Sequence, residues 1–312
     1  MEISAAQVKA LRVKTGAGMM DCKKALAQCK GDMEAAGEYL RKTGQDAALE
    51  RGGRTAAEGL VDACLLADAG LGVLVEVNSE TDFVARTGEF QTFVKDLANQ
   101  IAGVESLGQG VAVAKKDCVV DANGQARTLG EIATEKSAGF GENIVIRRFA
   151  RFRKAETAVL EAYIHPGGRV GVLLEVDCDS DPARETEDFG VLVRDVAMQI
   201  AAASPLVVQR DEVDQELIEK ERRINREIAI EEKKPENVID KIVEGRLQKF
   251  YKEVVLLEQE FVKDQGAKNK RSIQALLKEK SGELGGDIAI RRFARFQLGD
   301  LSEETPPESQ AT

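Results

Sequence analysis

Apolar and polar positions along the chain repeat in the same order twice. Each half begins with an apolar run, at 60–66 or 158–164, followed by a glycine-containing turn and a second apolar run. Two such runs around a short turn predict a β-hairpin. A helical pattern comes next, then a shorter helix and a last strand at 144–152 or 288–296. The apolar positions that set the helical spacing in the first half are Phe90, Phe93, Val94, Leu97 and Ile101.

This repetition extends to the residues themselves, so the chain contains a duplication. The segment 127–152 aligns without gaps on 271–296, with 13 of the 26 positions identical, and both segments end in IRRFARF. Such self-similarity indicates two copies of one structural unit. Hairpin, helix, helix and strand predict an α+β unit with a small antiparallel sheet. We expect copy one at 56–154 and copy two at 155–298.

Copy two contains an insertion of densely charged sequence. The helical period at about 211–250, broken at Lys234-Pro235, predicts a protruding helical hairpin with Pro235 in the first turn of its second helix. An additional helix pair packed on the body is the alternative. The two predicted apolar stripes are Leu217, Ile224 and Ile228 on the first helix, and Ile239, Val243, Leu247 and Phe250 on the second.

The two ends of the chain stand outside the duplication. Residues 1–55 predict a compact module of three short helices, at about 5–14, 20–29 and 32–42, joined to copy one by a loose tether at 50–58. Residues 299–312 are polar and contain Pro and Glu, which predicts a disordered tail.

Composition limits the classes of function. The net charge of −10 lacks the basic signature of a nucleic-acid-binding protein, so we expect no direct nucleic-acid contact. We find neither an apolar run long enough to span a bilayer nor a secretory signal, and the five scattered cysteines suit reduced thiols. We therefore expect a cytoplasmic protein that does not engage membranes.

The sequence contains few residues in patterns typical of catalytic or metal-binding sites. His165 is the one histidine, and no GxxxxGK[ST] phosphate loop is present. The run Asp177–Asp181 resembles half of a calcium loop, but Pro182 occupies the position that needs glycine. We expect no enzyme, no metal and no cofactor.

Two other features leave alternatives open. Alternation along the last strand of copy one places Arg147, Phe149 and Arg151 on one face, opposite Ile144, Ile146 and Phe152. Such a strand is either part of the scaffold or a surface on which single-stranded nucleic acid stacks. The Met19-Met20 pair suits a binding surface or a small core equally.

Phe83 is the sharpest local feature. Ser79 and Asp82 have the spacing of a capping box, which explains the polar residues but not the aromatic one. Copy two has Asp181-Pro182 where copy one has Asp82-Phe83, so the shared fold does not require an aromatic side chain there. We expect Phe83 to enter a pocket or a partner.

Several co-linear strings resemble the elongation factor Ts family: residues 11–26, 81–86, 141–148 and 242–246. The resemblance covers about residues 2–298 and implies a UBA-like module at 1–55, two related core subdomains and a coiled-coil hairpin. It also implies a protein that binds the GTPase EF-Tu in its GDP-bound and nucleotide-free forms and promotes GDP release.

The resemblance assigns contacts to individual residues. Thr81, Asp82, Phe83 and Val84 are expected to act near the magnesium site of EF-Tu, with Phe83 as a wedge. The other EF-Tu contacts that it implies are Lys9, Arg12, Met19, Met20, Lys23, His165 and Arg169. Two further hypotheses are an RNA-binding or ribosome-associated protein that uses the arginine-rich strands, and a binder of ubiquitin-like domains.

Overall fold

The computed structural model describes residues 3–15, 18–104, 107, 110–113, 118–120, 125–264, 266 and 269–300. Helices and small antiparallel sheets are mixed along the chain, which confirms the α+β prediction. The predicted tail at 301–312 lies outside the described residues.

Three helices open the chain: α1 (Ala5–Thr15), α2 (Met19–Gln28) and α3 (Met33–Arg51). Helix α3 ends at Arg51, so the prediction of an end near residue 42 was wrong. Residues 43–51 contain no proline and are rich in good helix formers, and α3 contacts the helix at Leu129–Phe140 of copy one. The resemblance of this module to a UBA domain remains a prediction. Its small core consists of Val8, Leu11, Cys22, Ala25, Leu26 and Ala36.

Copy one forms a sheet in the order β1-β2-β6-β3 and a separate β4-β5 pair. The predicted hairpin is confirmed, because β1 and β2 pair in antiparallel register from Glu58↔Ser79 to Leu66↔Leu71. The elements are β1 (Glu58–Leu66), β2 (Leu71–Ser79), α4 (Asp82–Ala85), α5 (Gly88–Gly103), β3 (Gly110–Val113), β4 (Cys118–Val120), β5 (Ala126–Thr128), α6 (Leu129–Phe140) and β6 (Val145–Arg153).

Copy two repeats this order in a three-stranded antiparallel sheet, β7-β8-β9. Its hairpin, short helix, long helix, later helix and last strand correspond to those of copy one, which supports the duplication. The elements are β7 (Ala158–Ile164), β8 (Val170–Cys178), α7 (Asp181–Arg184), α8 (Glu187–Ala203), α9 (Gln215–Glu231), α10 (Glu236–Val254), α11 (Ile273–Leu284) and β9 (Ile288–Gln297).

The two sheets pack face to face, and their helices cover the outer faces. Glycines permit the close approach: a Cβ on Gly171 would lie 2.6 Å from Cγ1 of Val61, and one on Gly72 would lie 2.8 Å from Cδ1 of Leu173. Strand β2 is therefore buried along its whole length. The core between the sheets consists of Val61, Leu74, Ala150, Phe152, Leu173, Ala294, Phe296 and Leu298.

A buried ion pair in copy one is closed by the end of copy two. Arg148 Nε donates to Glu76 Oε2 at 2.8 Å, and the Arg148 guanidinium lies 4.4 Å from the ring centroid of Phe296. The backbone N–H of Gly299 donates to Glu76 Oε1 at 2.9 Å, and Gln297 O accepts from Arg148 Nη2 at 3.3 Å.

Copy one closes the matching ion pair of copy two in the same manner. Arg292 Nε donates to Glu175 Oε2 at 2.6 Å and its guanidinium lies 4.3 Å from the centroid of Phe152. The backbone N–H of Ala155 donates to Glu175 Oε1 at 2.7 Å, and Arg153 O accepts from Arg292 Nη2 at 3.1 Å. We call these two pairs with their covering segments the reciprocal lock.

A β-bulge changes the faces of β6. The register passes from Glu76↔Arg148 to Val77↔Ile146, so Arg147 has no partner in the ladder. Ile146 and Phe149 consequently lie in the same core, against α5, and the predicted placement of these two on opposite faces was wrong. Strict alternation fails because the extra residue inverts the pleat.

The insertion forms two helices that bury their apolar faces largely on each other. The second stripe is confirmed for Ile239, Val243 and Leu247, which are buried. The first stripe is shifted: Ile218 and Ala229 are buried, while Ile228 is 38% exposed. The two apolar clusters of the hairpin contain only residues between 207 and 255, which supports a hairpin that packs on itself. Pro235 is the N-cap of α10 rather than a first-turn residue.

Candidate functional site

The turn after β2 carries an exposed aromatic side chain on a firmly held backbone. Phe83 is 80% exposed, the highest value among the large apolar side chains that the structure describes. It lies on α4, a single helical turn whose Ala85 is buried in the core of copy one and whose Val84 packs against that core. We call residues 81–84 the Phe83 tip.

Thr81 caps the short helix. Its Oγ1 accepts from the backbone N–H of Val84 at 3.4 Å, so the predicted capping by Ser79 was wrong. Ser79 is buried and its hydroxyl donates instead to the carbonyl oxygen of Thr81 at 2.9 Å. Capping therefore begins two residues later than the sequence spacing suggested, at the residue directly before the helix.

Glu142 braces the tip from the loop between α6 and β6. Thr81 donates to its carboxylate twice, from the backbone N–H to Oε2 at 3.0 Å and from the hydroxyl to Oε1 at 2.6 Å. Sequence analysis missed this role, although residues 141–148 were among the strings that carried the family resemblance. Glu142 lies in one of these strings, but the sequence does not show that it contacts Thr81, which is 61 residues away.

A second brace connects the same loop to the end of the N-terminal module. The backbone N–H of Asn143 donates to Glu80 Oε1 at 2.7 Å, and the Asn143 side chain donates to the carbonyl oxygen of Arg54 at 2.8 Å. Arg54 also forms an ion pair with Glu80 at 3.5 Å. The base of the Phe83 tip is thus linked to the segment that follows α3.

Asp82 stays at the surface beside Phe83. Its carboxylate pairs with Arg86 one helical turn later, at 2.9 Å, and retains 42% side-chain exposure. Thr87 closes the other end of the turn, where its hydroxyl donates to the carbonyl oxygen of Val84 at 2.8 Å. The tip presents an apolar ring next to an exposed carboxylate.

The matching turn of copy two differs where the tip is distinctive. Ser180 precedes α7 but its side chain makes no capping hydrogen bond, and the exposed Pro182 stands at the aromatic position. Gly286 takes the place of Glu142, and a Cβ there would lie 2.5 Å from Cβ of Ser180. Copy two therefore has the turn without the aromatic ring and without the carboxylate brace.

The N-terminal candidates lie on the outer surfaces of α1 and α2. Met19 and Met20 are 57% and 65% exposed, which removes the small-core alternative for this pair. Lys9, Arg12 and Lys23 are also exposed. Exposed methionines next to cationic side chains form a surface that suits an adaptable contact with another protein.

His165 and Arg169 lie in the turn between β7 and β8. The His165 ring approaches the Tyr163 hydroxyl, with Nδ1 and Oη 3.1 Å apart. Arg169 Nη1 donates to Glu58 Oε2 at 2.7 Å, so this turn of copy two contacts the start of β1 in copy one. The candidates thus lie in three separate regions: the β7–β8 turn, the Phe83 tip and the N-terminal helices.

Comparison with known proteins identifies the family. The model of the Elongation factor TS family matches residues 80–300, a segment that includes the Phe83 tip. Elongation factor Ts of Trichlorobacter lovleyi is 43% identical over 304 residues, covering 97% of this chain and 95% of the relative. The protein of the same name from Clostridium perfringens strain SM101 is 45% identical over 302 residues, with 97% and 95% covered. This chain belongs to the elongation factor Ts family.

In this family member, the arginines of both RRFARF strands form hydrogen bonds or ion pairs with other residues of the chain. Arg151 donates to the carbonyl oxygens of Leu107 and Ala102, and Arg295 donates to that of Ala201. Arg147 donates to Asn78, Arg291 pairs with Asp177, and Arg148 and Arg292 belong to the reciprocal lock. These contacts support the scaffold interpretation of the strands.

Carboxylates that resembled half of a calcium loop are likewise used internally. Asp177 pairs with Arg291, Asp181 pairs with Arg184, and Asp179 accepts from the backbone N–H of Asp287. In the part of the chain that the structure describes, no three His, Cys, Asp or Glu side chains are grouped to hold a metal ion. Within the same residues, the helices are too short or too polar to cross a membrane.

Proposed function

We propose that this protein is a translation elongation factor that binds EF-Tu·GDP, promotes release of GDP and leaves nucleotide-free EF-Tu for GTP. It makes and breaks no covalent bond in this role, so it needs no catalytic acid or base. The observation that carries the proposal is the Phe83 tip: an aromatic side chain, 80% exposed, on a backbone that Glu142 and Thr87 hold in place.

Phe83 has the properties of an interface anchor. A ring exposed on the free protein gains roughly 1.5–3 kcal/mol when it is fully buried in an apolar pocket. Because the turn is already ordered, little conformational entropy is lost on binding, and more of that gain is available for the contact. We propose that Phe83 wedges between helices of the GTPase while Thr81, Asp82 and Val84 act near its magnesium and phosphate site.

The physical basis of exchange is negative coupling between two ligands of EF-Tu. If the factor weakens GDP binding, GDP weakens binding of the factor by the same ratio. A thousandfold weakening corresponds to ~4.1 kcal/mol. Displacing the magnesium ion from the phosphate site of EF-Tu would supply coupling on this scale, because it would remove charge stabilisation that GDP needs.

The remaining candidates would bind other parts of EF-Tu. We propose that the module at 1–55 docks on the GTPase domain through exposed residues of α1 and α2, and that copy two contacts a separate region through its β7–β8 turn. Such a division would spread the docking energy over both ends of the molecule. The proposed contacts are Lys9, Arg12, Met19, Met20 and Lys23 in the module, and His165 and Arg169 in copy two.

Release of a fluorescent GDP analogue from EF-Tu tests the proposal. The wild-type protein should accelerate release strongly, and Phe83→Ala should reduce the acceleration about thirtyfold or more, since truncating an interface anchor typically costs ~2 kcal/mol or more. Phe83→Leu should restore part of it, because an apolar side chain remains.

Leu206→Ala is the matched control for this measurement. Leu206 is 59% exposed and lies beyond α8 in copy two, outside the proposed contacts. Its truncation should leave GDP release unchanged. Acceleration that survives Phe83→Ala would place the mechanism elsewhere on the molecule, and the absence of any acceleration by the wild-type protein would overturn the proposed function.

A further inference from the structure

We propose that Glu142 is a positioning residue for nucleotide exchange: it fixes the direction in which Phe83 projects and does not itself touch EF-Tu. This inference rests on the proposed function and adds to it a residue on a different loop. Its basis is the two-bond contact between Glu142 and Thr81, at 2.6 and 3.0 Å.

Helix α4 cannot set its own direction. It has four residues, and a single helical turn is unstable without external support, because the conformational entropy lost in nucleation exceeds the stabilisation from one turn of hydrogen bonds. Its orientation therefore depends on what holds its two ends. Thr87 and the buried Ala85 secure the C-terminal end. The N-terminal end is held by Ser79, which donates to the carbonyl oxygen of Thr81, and from a different loop by Glu142.

The geometry at Thr81 limits rotation of the turn. Glu142 accepts from the hydroxyl and from the backbone N–H of the same residue, so both the side chain and the peptide plane of Thr81 are fixed. The Thr81 hydroxyl oxygen in turn accepts from the backbone N–H of Val84, directly after Phe83. A chain of hydrogen bonds thus leads from the carboxylate, through Thr81, to the backbone N–H of the residue directly after Phe83.

Copy two shows that the shared fold does not need this carboxylate. One acidic bond is common to both turns: Asp179 accepts from the N–H of Asp287 at 2.7 Å, as Glu80 does from Asn143 at 2.7 Å. The Glu142 bond has no counterpart, because Gly286 stands at that position. The brace and the exposed aromatic side chain therefore occur together in copy one and are both absent from copy two.

The test is a mutant cycle on GDP release with the full-length protein. Glu142→Ala should lower the maximal release rate at saturating factor by about tenfold, equivalent to ~1.4 kcal/mol, while the concentration for half-maximal effect changes little because docking surfaces remain. In a Phe83→Ala background the same substitution should have no further effect. Glu142→Gln should retain part of the rate, since its carbonyl oxygen can still accept from Thr81.

Asp179→Ala serves as the matched control, because it removes a carboxylate bond of the same kind from the turn of copy two. It should leave release unchanged, and thermal unfolding of every variant should report how much each fold is weakened. A Glu142→Ala loss that persists undiminished in the Phe83→Ala background would overturn the inference, as would a wild-type rate for Glu142→Ala. Failure of the wild-type protein to accelerate release would instead reject the proposed function.

Discussion

The two copies of the duplicated unit share the buried ion pairs of their interior, but they differ at the turn that follows the hairpin. Each has a buried glutamate paired with an arginine that lies over an aromatic ring of the other copy, at 4.4 and 4.3 Å. At the turn after the hairpin, copy one has Thr81, Phe83 and Glu142, where copy two has Ser180, Pro182 and Gly286. The interior holds the copies together, and we propose that the turn of copy one is a contact surface for another protein.

The duplication separates residues that the shared fold requires from residues that it does not require. A residue found in both copies stabilises the shared fold, as the residues of the reciprocal lock do. A residue found in one copy serves a role that is specific to that copy. The Phe83 tip and its brace fall in the second class, which is why we propose them as the site that acts on EF-Tu.

Burial distinguishes the two halves of the lock. The side chain of Arg148 is 6% exposed, whereas that of Arg292 is 33% exposed, although Glu76 and Glu175 are both fully buried. A buried charge that loses its partner has no access to water, while a partly exposed one can be solvated. The lock should therefore be more sensitive to mutation in copy one.

Glu76→Ala is expected to give the largest loss of stability. It leaves Arg148 buried without a counterion, so the free energy of unfolding should fall by about 3–5 kcal/mol. Urea unfolding followed by circular dichroism measures this directly. The protein that remains folded should still accelerate GDP release, because the Phe83 tip is unchanged.

Glu175→Ala is the paired experiment in copy two, and its loss should be smaller, about 1–3 kcal/mol. Arg292 can turn toward solvent once its partner is removed, and Arg291 keeps Asp177 at 2.6 Å. Equal losses for the two glutamates would show that exposure of the arginine does not control the strength of the lock.

Asp264→Asn should have the smallest effect, and one that depends on pH. Arg271 pairs with Glu279, just as Arg127 pairs with Glu135 in copy one. In copy two Arg271 also donates hydrogen bonds to Asp264, and these lower the pKa of the Asp264 carboxyl to about 2. A carboxyl whose folded pKa is lowered stabilises the fold above its ordinary value of ~3.9 and loses that contribution as the pH falls toward 2.

Urea midpoints of wild type and Asp264→Asn should therefore differ at pH 7 and converge as the pH falls below 4. A difference that stays constant over this range would mean that charge on Asp264 is not what stabilises the segment before α11.

Sequence patterns predicted most helices and strands and identified Phe83 as a candidate, but they did not predict the contacts between distant elements. The spacing of Phe90, Phe93 and Leu97 gave the buried face of α5, since periodicity is local. The bulge at Arg147 was not predicted, because it depends on pairing with a strand about seventy residues earlier. Glu142 was missed for the same reason: a brace is defined by two distant segments, and one sequence does not reveal which carboxylate meets which hydroxyl.

Domain limits and partner contacts remain predictions. The duplicated elements support boundaries near 56, 155 and 298, and exposure of Met19, Met20, Lys9, Arg12 and Lys23 is consistent with a docking surface.

The most direct test of the central claim measures the coupling between this protein and GDP on EF-Tu from both sides. Affinity of EF-Tu for the protein is determined with and without GDP, and affinity for GDP with and without the protein, for wild type and Phe83→Ala. We predict equal factors for the two directions in wild type, and a coupling that collapses in Phe83→Ala while binding to EF-Tu persists. A Phe83→Ala protein that retains the full coupling would contradict the assignment of exchange to the Phe83 tip.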